Sequence, residues 1–376
     1  MTPPTAPDDE EHMRRALELA ERGLYTTDPN PRVGCVLVRD GRVIGEGWHR
    51  RAGEPHAEVE ALRAADFDAR GSTAYVSLEP CSHTGRTPPC ADALIEAGVA
   101  RVVSAVADPN PLVAGRGAAR LRAAGIEVAV GVRADAARAL NAGFFSRFER
   151  GRPYVRLKMA VSLDGRSAYA DGRKAWISGT ASRADVQAWR ARSSAVLTGA
   201  GTVRTDDPRL DVRLDYGPWV RQPLRVVLDP ALRCPARSRV FQGGGALVYA
   251  APDAPPAAVA AAEAGGVRVE RVPRSGNGLD LAAILERLAA IEINELLVEC
   301  GPRLAGALLA ARLVDEIVLY AAPILLGVDA PPLAALPAAD AEQALPGFEL
   351  ADVRRIGEDV RLILRPKKGS SCSPES

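Results

Sequence analysis

Short apolar runs alternate with amphipathic stretches along almost the whole chain, and this alternation restricts its fold more than any other feature. Residues 33–38 read as a buried strand, Asp40-Gly41 as a hairpin turn and 42–47 as the partner strand. Before them, residues 8–23 carry Met13, Leu17 and Ala20 at helical spacing. Asp8 or Asp9 is the candidate cap of this helix and Gly23 its stop. Helices predicted at 56–65, 91–97 and 115–124 then alternate with strands at 74–78, 101–105 and 127–131. A chain patterned this way lays helices on both faces of a mostly parallel sheet, the α/β class.

The pattern pauses near Arg150 and restarts after Gly151-Arg152-Pro153, which reads as a domain seam. Strands are predicted at 154–160, 195–198, 224–228, 246–249, 295–299, 316–321 and 360–364. Helices are predicted at 182–192, 280–290 and 303–311, and the Ala/Pro-rich 251–266 reads as a surface helix and loop. Two domains are expected, 1–150 and 151–366, followed by a disordered tail at 367–376. Asp-Pro-Asn-Pro occurs at 28–31 and again at 108–111, in different surroundings, as two turns.

Charge and composition exclude several classes of function. With 48 basic and 47 acidic residues the net charge is +1, which gives no global field for a polyanion and argues against nucleic acid as a partner. No apolar run reaches the roughly 18 residues of a membrane span. The acidic, Pro-rich 1–11 does not resemble a targeting leader. Six cysteines in 376 residues are too sparse for a disulfide scaffold, so a reducing cytoplasm is expected. Only Lys158, Lys174, Lys367 and Lys368 are lysines, so a lysine inside a folded segment of this Arg-rich chain invites a chemical reading.

The strongest chemical signal is His56-Ala57-Glu58 with Pro80-Cys81 and Cys90. One imidazole and two thiolates suit zinc and leave a fourth tetrahedral position open, the arrangement of a catalytic rather than a structural site. Such an ion makes hydroxide available at neutral pH. Glu58, two residues past the histidine at a helix start, would carry the proton from water to a leaving amine. H-x-E followed by P-C and a second Cys is the signature of zinc nucleobase deaminases. Here the usual short C-x-x-C is stretched by Ser82 to Pro89. A plainer reading makes Cys81 and Cys90 structural thiols and His56 a surface histidine. Ligand type, order and the strand–loop–helix context oppose it. A structural zinc would want a fourth ligand, for which His83 is the nearby candidate. His83 and Arg86 between the thiolates would suit a phosphate or a heteroatom-rich ring, and Asn30 would hydrogen-bond the substrate or close an Asx turn.

At these residues the chain resembles the bifunctional deaminase/reductase family of riboflavin biosynthesis. The resemblance is carried by 26–35, 53–58, 78–90, 108–111 with 113–117, and, in the second half, by 158–160 with 162–166, 176–178, 202–208, 299–306 and 322–327. It spans about residues 11–365. It implies a cytidine-deaminase-like three-layer domain followed by a dihydrofolate-reductase-like α/β domain. It implies one zinc ion per chain, NADPH and a small phosphorylated pyrimidine. The first domain would hydrolyse the 2-amino group of a diaminopyrimidine ribosylamine phosphate; the second would reduce the ribosyl side chain to ribityl. Carried over residue by residue, Ala160, Trp176, Thr202, Asp206 and Gly301, Pro302, Arg303, Leu304, Ala305, Gly306 and Ala307 would contact the cofactor. Lys174, Arg190, Leu210, Arg213 and Glu299 would contact the substrate. Lys174 and Pro230 depart from the family pattern.

Read on its own residues, the second half lacks a dinucleotide fingerprint: Gly199-Ala200-Gly201-Thr202-Val203-Arg204 fails at the third glycine. The strand 296–299 running into Gly301 and Gly306 at a helix start is the better phosphate site. Lys158 and Asp164, on the first strand and its following turn, would polarise or protonate the reacting sugar; Lys158 in a structural ion pair is the alternative. Two competing functions remain at this level. One is a deaminase whose second domain only binds phosphate or cofactor, which would fail to oxidise NADPH. The other is a silent zinc-binding sensor, which would have no need of Glu58. A homo-oligomer is compatible with the sequence and not indicated by it.

Overall fold

Two β-sheets organise the chain, one in each of two units. The computed structural model describes residues 7–82, 89–111, 113–172, 176–276, 278–336 and 347–367. One unit is Met1–Gly151 with the segment Gly217–Arg221; the other is Arg152–Tyr216 with Gln222–Ser376.

The first unit contains α1 (Pro7–Glu21), β1 (Gly34–Arg39), β2 (Arg42–Trp48), α2 (Ala57–Ala64), β3 (Thr73–Val76) and α3 (Cys90–Glu96). It continues with β4 (Arg101–Ser104), α4 (Arg116–Ala123), β5 (Glu127–Val130), α5 (Ala134–Leu140) and α6 (Ala142–Arg150). The strand order is β2-β1-β3-β4-β5. Strands β3, β4 and β5 run parallel, but β1 is antiparallel to both β2 and β3. The sheet is therefore mixed rather than mostly parallel, because a tight hairpin joins β1 to β2 where a parallel pair would need a crossover.

The period-2 alternation of the strands divides two cores. Cys35, Leu37 and Val76 face α2, α3 and α4, represented by Leu62, Leu94 and Leu121. Val36, Val38 and Tyr75 face α1, α5 and α6, represented by Met13, Ala137 and Phe144. The result is a three-layer sandwich. Asp9, a candidate helix cap in the sequence, is instead almost fully buried: it takes a bidentate pair from Arg101 at 2.8 and 3.0 Å and a hydrogen bond from Tyr75.

Helix α2 approaches β2 closely because β2 offers glycine at Gly45 and Gly47. A Cβ on Gly47 would lie 2.4 Å from Ala57 O and from Ala61 N, and one on Gly45 would lie 2.3 Å from Ala61 O. This contact seats the start of α2, where His56 and Glu58 stand.

The second unit contains β6 (Tyr154–Ser162), α7 (Thr180–Arg192), β7 (Ala195–Gly199), α8 (Ala200–Asp206), β8 (Leu224–Leu228), β9 (Ala246–Ala250), α9 (Pro256–Ala264) and β10 (Arg268–Arg271). It continues with β11 (Arg274–Ser275), β12 (Gly278–Leu279), α10 (Leu281–Ala290), β13 (Glu295–Glu299), α11 (Pro302–Ala310), β14 (Glu316–Ala322), β15 (Phe348–Ile356) and β16 (Asp359–Pro366). Nine strands form one sheet in the order β10-β9-β8-β7-β13-β6-β14-β16-β15, with β11 and β12 paired separately. The sheet is parallel from β10 to β14 and ends in the antiparallel β16 and β15. Its central strands are nearly continuous apolar runs because helices cover both faces. Helix α9, expected on the surface from its composition, buries none of its residues. Beyond Lys367, the tail expected at 367–376 lies outside the described residues. Among the described residues no helix is long and apolar enough to cross a membrane.

Gly47→Ala is expected to destabilise the first unit by about 2–3 kcal/mol, since its Cβ meets rigid helix backbone. Gly41→Ala, in the hairpin turn at φ +72° with open space around it, is expected to cost only about 1 kcal/mol. Urea midpoints of the two variants measure the difference.

Candidate active sites

His56 is the extended residue just before α2, Cys90 opens α3, and Cys81 ends the segment that leaves β3. Three separate elements thus bring their donor atoms to one point. His56 Nδ1 lies 3.2 Å from Cys90 Sγ and 3.6 Å from Cys81 Sγ, and all three atoms lie within 4.8 Å of one another. A tetrahedral zinc ion, with bonds of about 2.0 Å to nitrogen and about 2.3 Å to sulfur, sets N and S about 3.5 Å apart, so the donor set fits it. Among the described residues this is the one cluster of three or more His, Cys, Asp or Glu side chains able to grip a metal.

The electrostatics suit the same ion. The thiol of Cys90, together with the Cys90 N–H and His56, pulls Cys81 down to about 4 against the effect of burial, while Cys90 is driven up by its neighbour Cys81 and by burial. Glu58 sits in the first turn of α2 and is 3 % exposed. Burial pushes its carboxyl up to about 7, with His56 pulling the other way. A carboxyl poised near neutrality can both take and return a proton.

In the second unit, Lys158 midway along β6 and Glu299 at the carboxyl end of β13 are register partners on adjacent parallel strands. Ligands of open α/β sheets bind at the carboxyl ends of the strands. Arg190 from α7 donates to both Glu299 oxygens, at 2.6 and 2.9 Å, and to Asp211 O at 3.1 Å. Burial lowers the Lys158 ammonium, Glu299 raises it and Arg190 lowers it again. Beside them, Gly199 and Gly301 mark two facing helix starts. A Cβ on Gly301 would lie 3.8 Å from Thr202 Oγ1, and one on Gly199 would lie 3.5 Å from Leu304 Cδ2. Helix α11 has Gly301 at its cap position, Pro302 in its first turn and no side chain capping it. Its first N–H groups are thus left for an anion such as a cofactor phosphate.

Known proteins match both arrangements in order. Residues 6–106 match the family model described as the cytidine and deoxycytidylate deaminase zinc-binding region, and residues 153–362 match the RibD C-terminal domain. Riboflavin biosynthesis protein RibD of Escherichia coli (strain K12) is 49% identical over 366 residues, covering 95% of this chain and 99% of its own. The solved structure of Acinetobacter baumannii RibD, form 1, aligns with a TM-score of 0.88 at 44% identity, over 96% of this chain and 99% of that one. The chain belongs to the RibD family. A third relative, the Thermotoga maritima diaminohydroxyphosphoribosylaminopyrimidine deaminase/5-amino-6-(5-phosphoribosylamino)uracil reductase, aligns with a TM-score of 0.82 at 35% identity over 96% of this chain and 99% of that one. This RibD protein is accordingly a bifunctional deaminase and reductase of riboflavin biosynthesis, a hydrolase and an oxidoreductase, that uses zinc and NADPH. Its N-terminal part is cytidine-deaminase-like and its C-terminal part dihydrofolate-reductase-like.

The structure brings His56, Cys81, Cys90 and Glu58 together in this RibD chain, and likewise Lys158, Glu299 and Arg190. Ala160 lies on β6 and Trp176 is 75% exposed with Arg183 over its ring, so Trp176 is not a core residue. Asp206 ends α8, exposed. His83, Arg86 and Lys174 lie outside the described residues.

Several other positions have partners that change their reading. Asp164 accepts from Ser162 Oγ and from the N–H groups of Leu326 and Gly327, which hold it down to about 2. It is thus an ionised pin for the 324–327 loop and a poor proton donor. Arg190, expected at a phosphate, spends its fork on Glu299 and Asp211. Arg213, half-exposed and 3.7 Å from Asp211, is left as the freer cation. Leu210 packs its side chain into the apolar core at φ +55°, so only its backbone can face a ligand. Ala305 is buried in the core with its N–H on Gly301 O, and a Cβ on Gly306 would meet Ala335 O at 2.1 Å. Both are packing positions, while Arg303 and Ala307 are exposed.

His49 went unnoticed in the sequence. Its Nδ1 lies 3.1 Å from Pro55 O, which can only accept, so Nδ1 carries the hydrogen and Nε2 accepts from Asn30 Nδ2 at 3.0 Å. Burial lowers His49 to about 4 and keeps it neutral. Its ring stands 5.2 Å from that of His56. The Asn30 amide nitrogen is thereby engaged, and its oxygen is the atom left for a substrate donor. A lone histidine seven residues before a metal-ligand motif carries no sequence signal of this kind.

Glu299→Gln removes the charge that raises Lys158 and leaves Arg190 beside it. Lys158 then loses its proton at lower pH. The high-pH falling limb of NADPH oxidation is expected to move down by about 1–2 pH units, as read in single-turnover pH profiles.

Proposed function

We propose that the first unit hydrolyses the exocyclic 2-amino group of 2,5-diamino-6-ribosylamino-4(3H)-pyrimidinone 5′-phosphate. The second unit then reduces the ribosyl side chain to give 5-amino-6-(ribitylamino)uracil 5′-phosphate. The carrying observation is the convergence of His56 Nδ1 and the sulfurs of Cys81 and Cys90 within 4.8 Å, with the buried carboxyl of Glu58 beside them. The substrate named for the Thermotoga maritima relative supports the same reading.

His56, Cys81 and Cys90 hold the zinc, whose Lewis acidity makes water nucleophilic at neutral pH. Glu58 takes the proton of the attacking water and delivers it to the departing amine as ammonia leaves. The Asn30 oxygen orients the pyrimidine through a ring or amino N–H. His83 and Arg86 contact the heterocycle or its phosphate.

In the second unit NADPH supplies the hydride. Thr202 and the open first turn of α11, from Gly301 to Leu304, bind its phosphates, with Ala160, Trp176 and Asp206 along the same cofactor. Lys158 donates the proton that balances hydride addition to the opened sugar. Glu299, held ionised by Arg190, keeps Lys158 charged and accepts sugar hydroxyls. Arg213 meets the substrate phosphate. The deaminase comprises 1–150 and the reductase 151–366, and the protein works in the cytoplasm, where thiolate ligands stay reduced.

Zinc content near one per chain is expected, with ammonia release from the diaminopyrimidine and loss of the NADPH absorbance band once the deaminated product forms. Glu58→Gln is expected to slow ammonia release by about 10²–10⁴-fold while reduction of preformed intermediate continues unchanged. Undiminished ammonia release by that variant would remove Glu58 from its role. Failure of the wild type to oxidise NADPH with the intermediate would reduce the second unit to a binding domain.

A further inference from the structure

The segment that delivers Cys81 leaves β3 as Ser77-Leu78-Glu79-Pro80 and is buried throughout. Nothing in the chemistry assigned so far requires a carboxylate at Glu79, yet Glu79 is 5% exposed and fully engaged. Its Oε2 accepts the N–H of Asp108 at 3.2 Å and of Gly115 at 3.0 Å, and its Oε1 accepts the N–H of Ala118 at 3.1 Å. Its own N–H bonds Val106 O at 3.0 Å. Helix α4 begins after Gly115, which has no side chain to cap it, so Glu79 supplies from another element the cap that the local sequence omits. A negative group at that end also meets the positive pole of the helix.

The same helix turn touches the ligand segment from the other side. A Cβ on Gly117 would lie 1.9 Å from Pro80 O, so the first turn of α4 rests directly on the Pro80–Cys81 peptide. Downstream, Cys81 O accepts the N–H of Ala91, and Cys81 Sγ lies 3.4 Å from the Cys90 N–H. Cys81 is therefore held at its front by α3 and at its back through Glu79 and α4.

We propose that Glu79 is a positioning residue of the metal centre, whose carboxylate clamps the Cys81 segment onto the 106–115 loop and the first turn of α4 and so fixes where the Cys81 sulfur stands. This rests on the reading that His56, Cys81 and Cys90 hold the zinc. Groups that orient a metal ligand without touching the ion typically change affinity by about 10–100-fold when removed. The coupling is reciprocal: a clamp that strengthens metal binding is itself strengthened by the metal.

Two measurements on the full-length protein test it. In the first, zinc affinity is read by competition with a chromogenic chelator for wild type, Glu79→Gln and Arg101→Ala. The last breaks the buried Arg101–Asp9 pair on the other face of the sheet and serves as a stability control. Glutamine keeps the size of Glu79 but turns an amino group toward N–H donors. Glu79→Gln is expected to weaken zinc binding by about 10–100-fold, to alter the visible bands of the cobalt-substituted protein, and to leave NADPH oxidation unchanged. Arg101→Ala is expected to leave zinc affinity within about twofold, as for sites without shared partners. Equal affinities for Glu79→Gln and wild type, or equal losses in both variants, overturn the proposal.

The second measurement needs no variant and decides the matter if Glu79→Gln does not fold. Hydrogen exchange at the amides of Asp108, Gly115 and Ala118 is expected to accelerate when zinc is stripped from the wild type. Exchange indifferent to the metal overturns the proposal. A wild type that binds no zinc, or a Cys81→Ser variant that binds it with undiminished affinity, refutes instead the ligand assignment on which the clamp rests.

Discussion

Lys158 stands midway along β6, where burial works against its ammonium and the carboxylate of Glu299, its register partner on β13, works for it. An unpaired buried charge costs several kcal/mol, and β13 offsets that cost by placing a carboxylate in register with the lysine. Glu299 is in turn fixed by the fork of Arg190 on α7, and Arg190 by Asp211 O. The sequence of neighbours runs from strand to strand to helix to loop, and Arg190 and Lys158 hold Glu299 below the usual carboxylate range. In the deaminase unit the ring nitrogen of His56 and the sulfurs of Cys81 and Cys90 converge as a donor set that a cation would satisfy, and Glu79 answers to three backbone N–H groups.

The two key carboxyls show how environment divides the labour. Glu58 and Glu299 are both largely buried, and burial raises both. For Glu58 that effect prevails over the opposing pull of His56 and of hydrogen bonds from its own N–H and Cys90, and the group comes to rest near neutrality. For Glu299 the cations Arg190 and Lys158 outweigh burial, and the group stays ionised. One carboxyl is suited to carry protons and the other to hold a fixed charge, which are the respective needs of hydrolysis and of hydride transfer to an opened sugar.

Much of this was legible in the residues. Strands buried on both faces announce themselves as apolar runs, so β1, β3, β4 and the central strands of the second sheet could be read directly. The grouping of His56, Cys81 and Cys90 was legible because imidazole and thiol are few in this chain and chemically distinctive. What the sequence concealed is what depends on long-range contact. Strand β15 is exposed along most of its length as the edge of the sheet, so it shows no alternation. The segment Gly217–Arg221 belongs with the first unit, where Arg221 donates to Asp28 O at 2.8 Å and Arg51 lies over Trp219, and no local pattern announces that membership. His49 and Glu79 are ordinary residues until their partners, 19 residues away for Asn30 and 29 to 39 away for the Glu79 donors, are known.

The helix starts proposed to hold the cofactor make the same point from the opposite side. A dinucleotide fingerprint concentrates its glycines in one turn. Here the function of such a turn is shared between two: Gly199 ends β7 before α8, Gly301 follows the adjacent parallel strand β13 before α11, and Thr202 Oγ1 lies near Gly301. Neither glycine alone signals a nucleotide, but together they leave an uncapped helix start just past Glu299 at the end of β13, whose register partner on β6 is Lys158. Sheet order, rather than sequence spacing, assembles the site: β7, β13 and β6 are neighbours in space although β6 and β13 are separated by most of the domain. A parallel sheet can therefore build a reductase site from single residues on distant segments, each of which looks unremarkable where it stands in the chain.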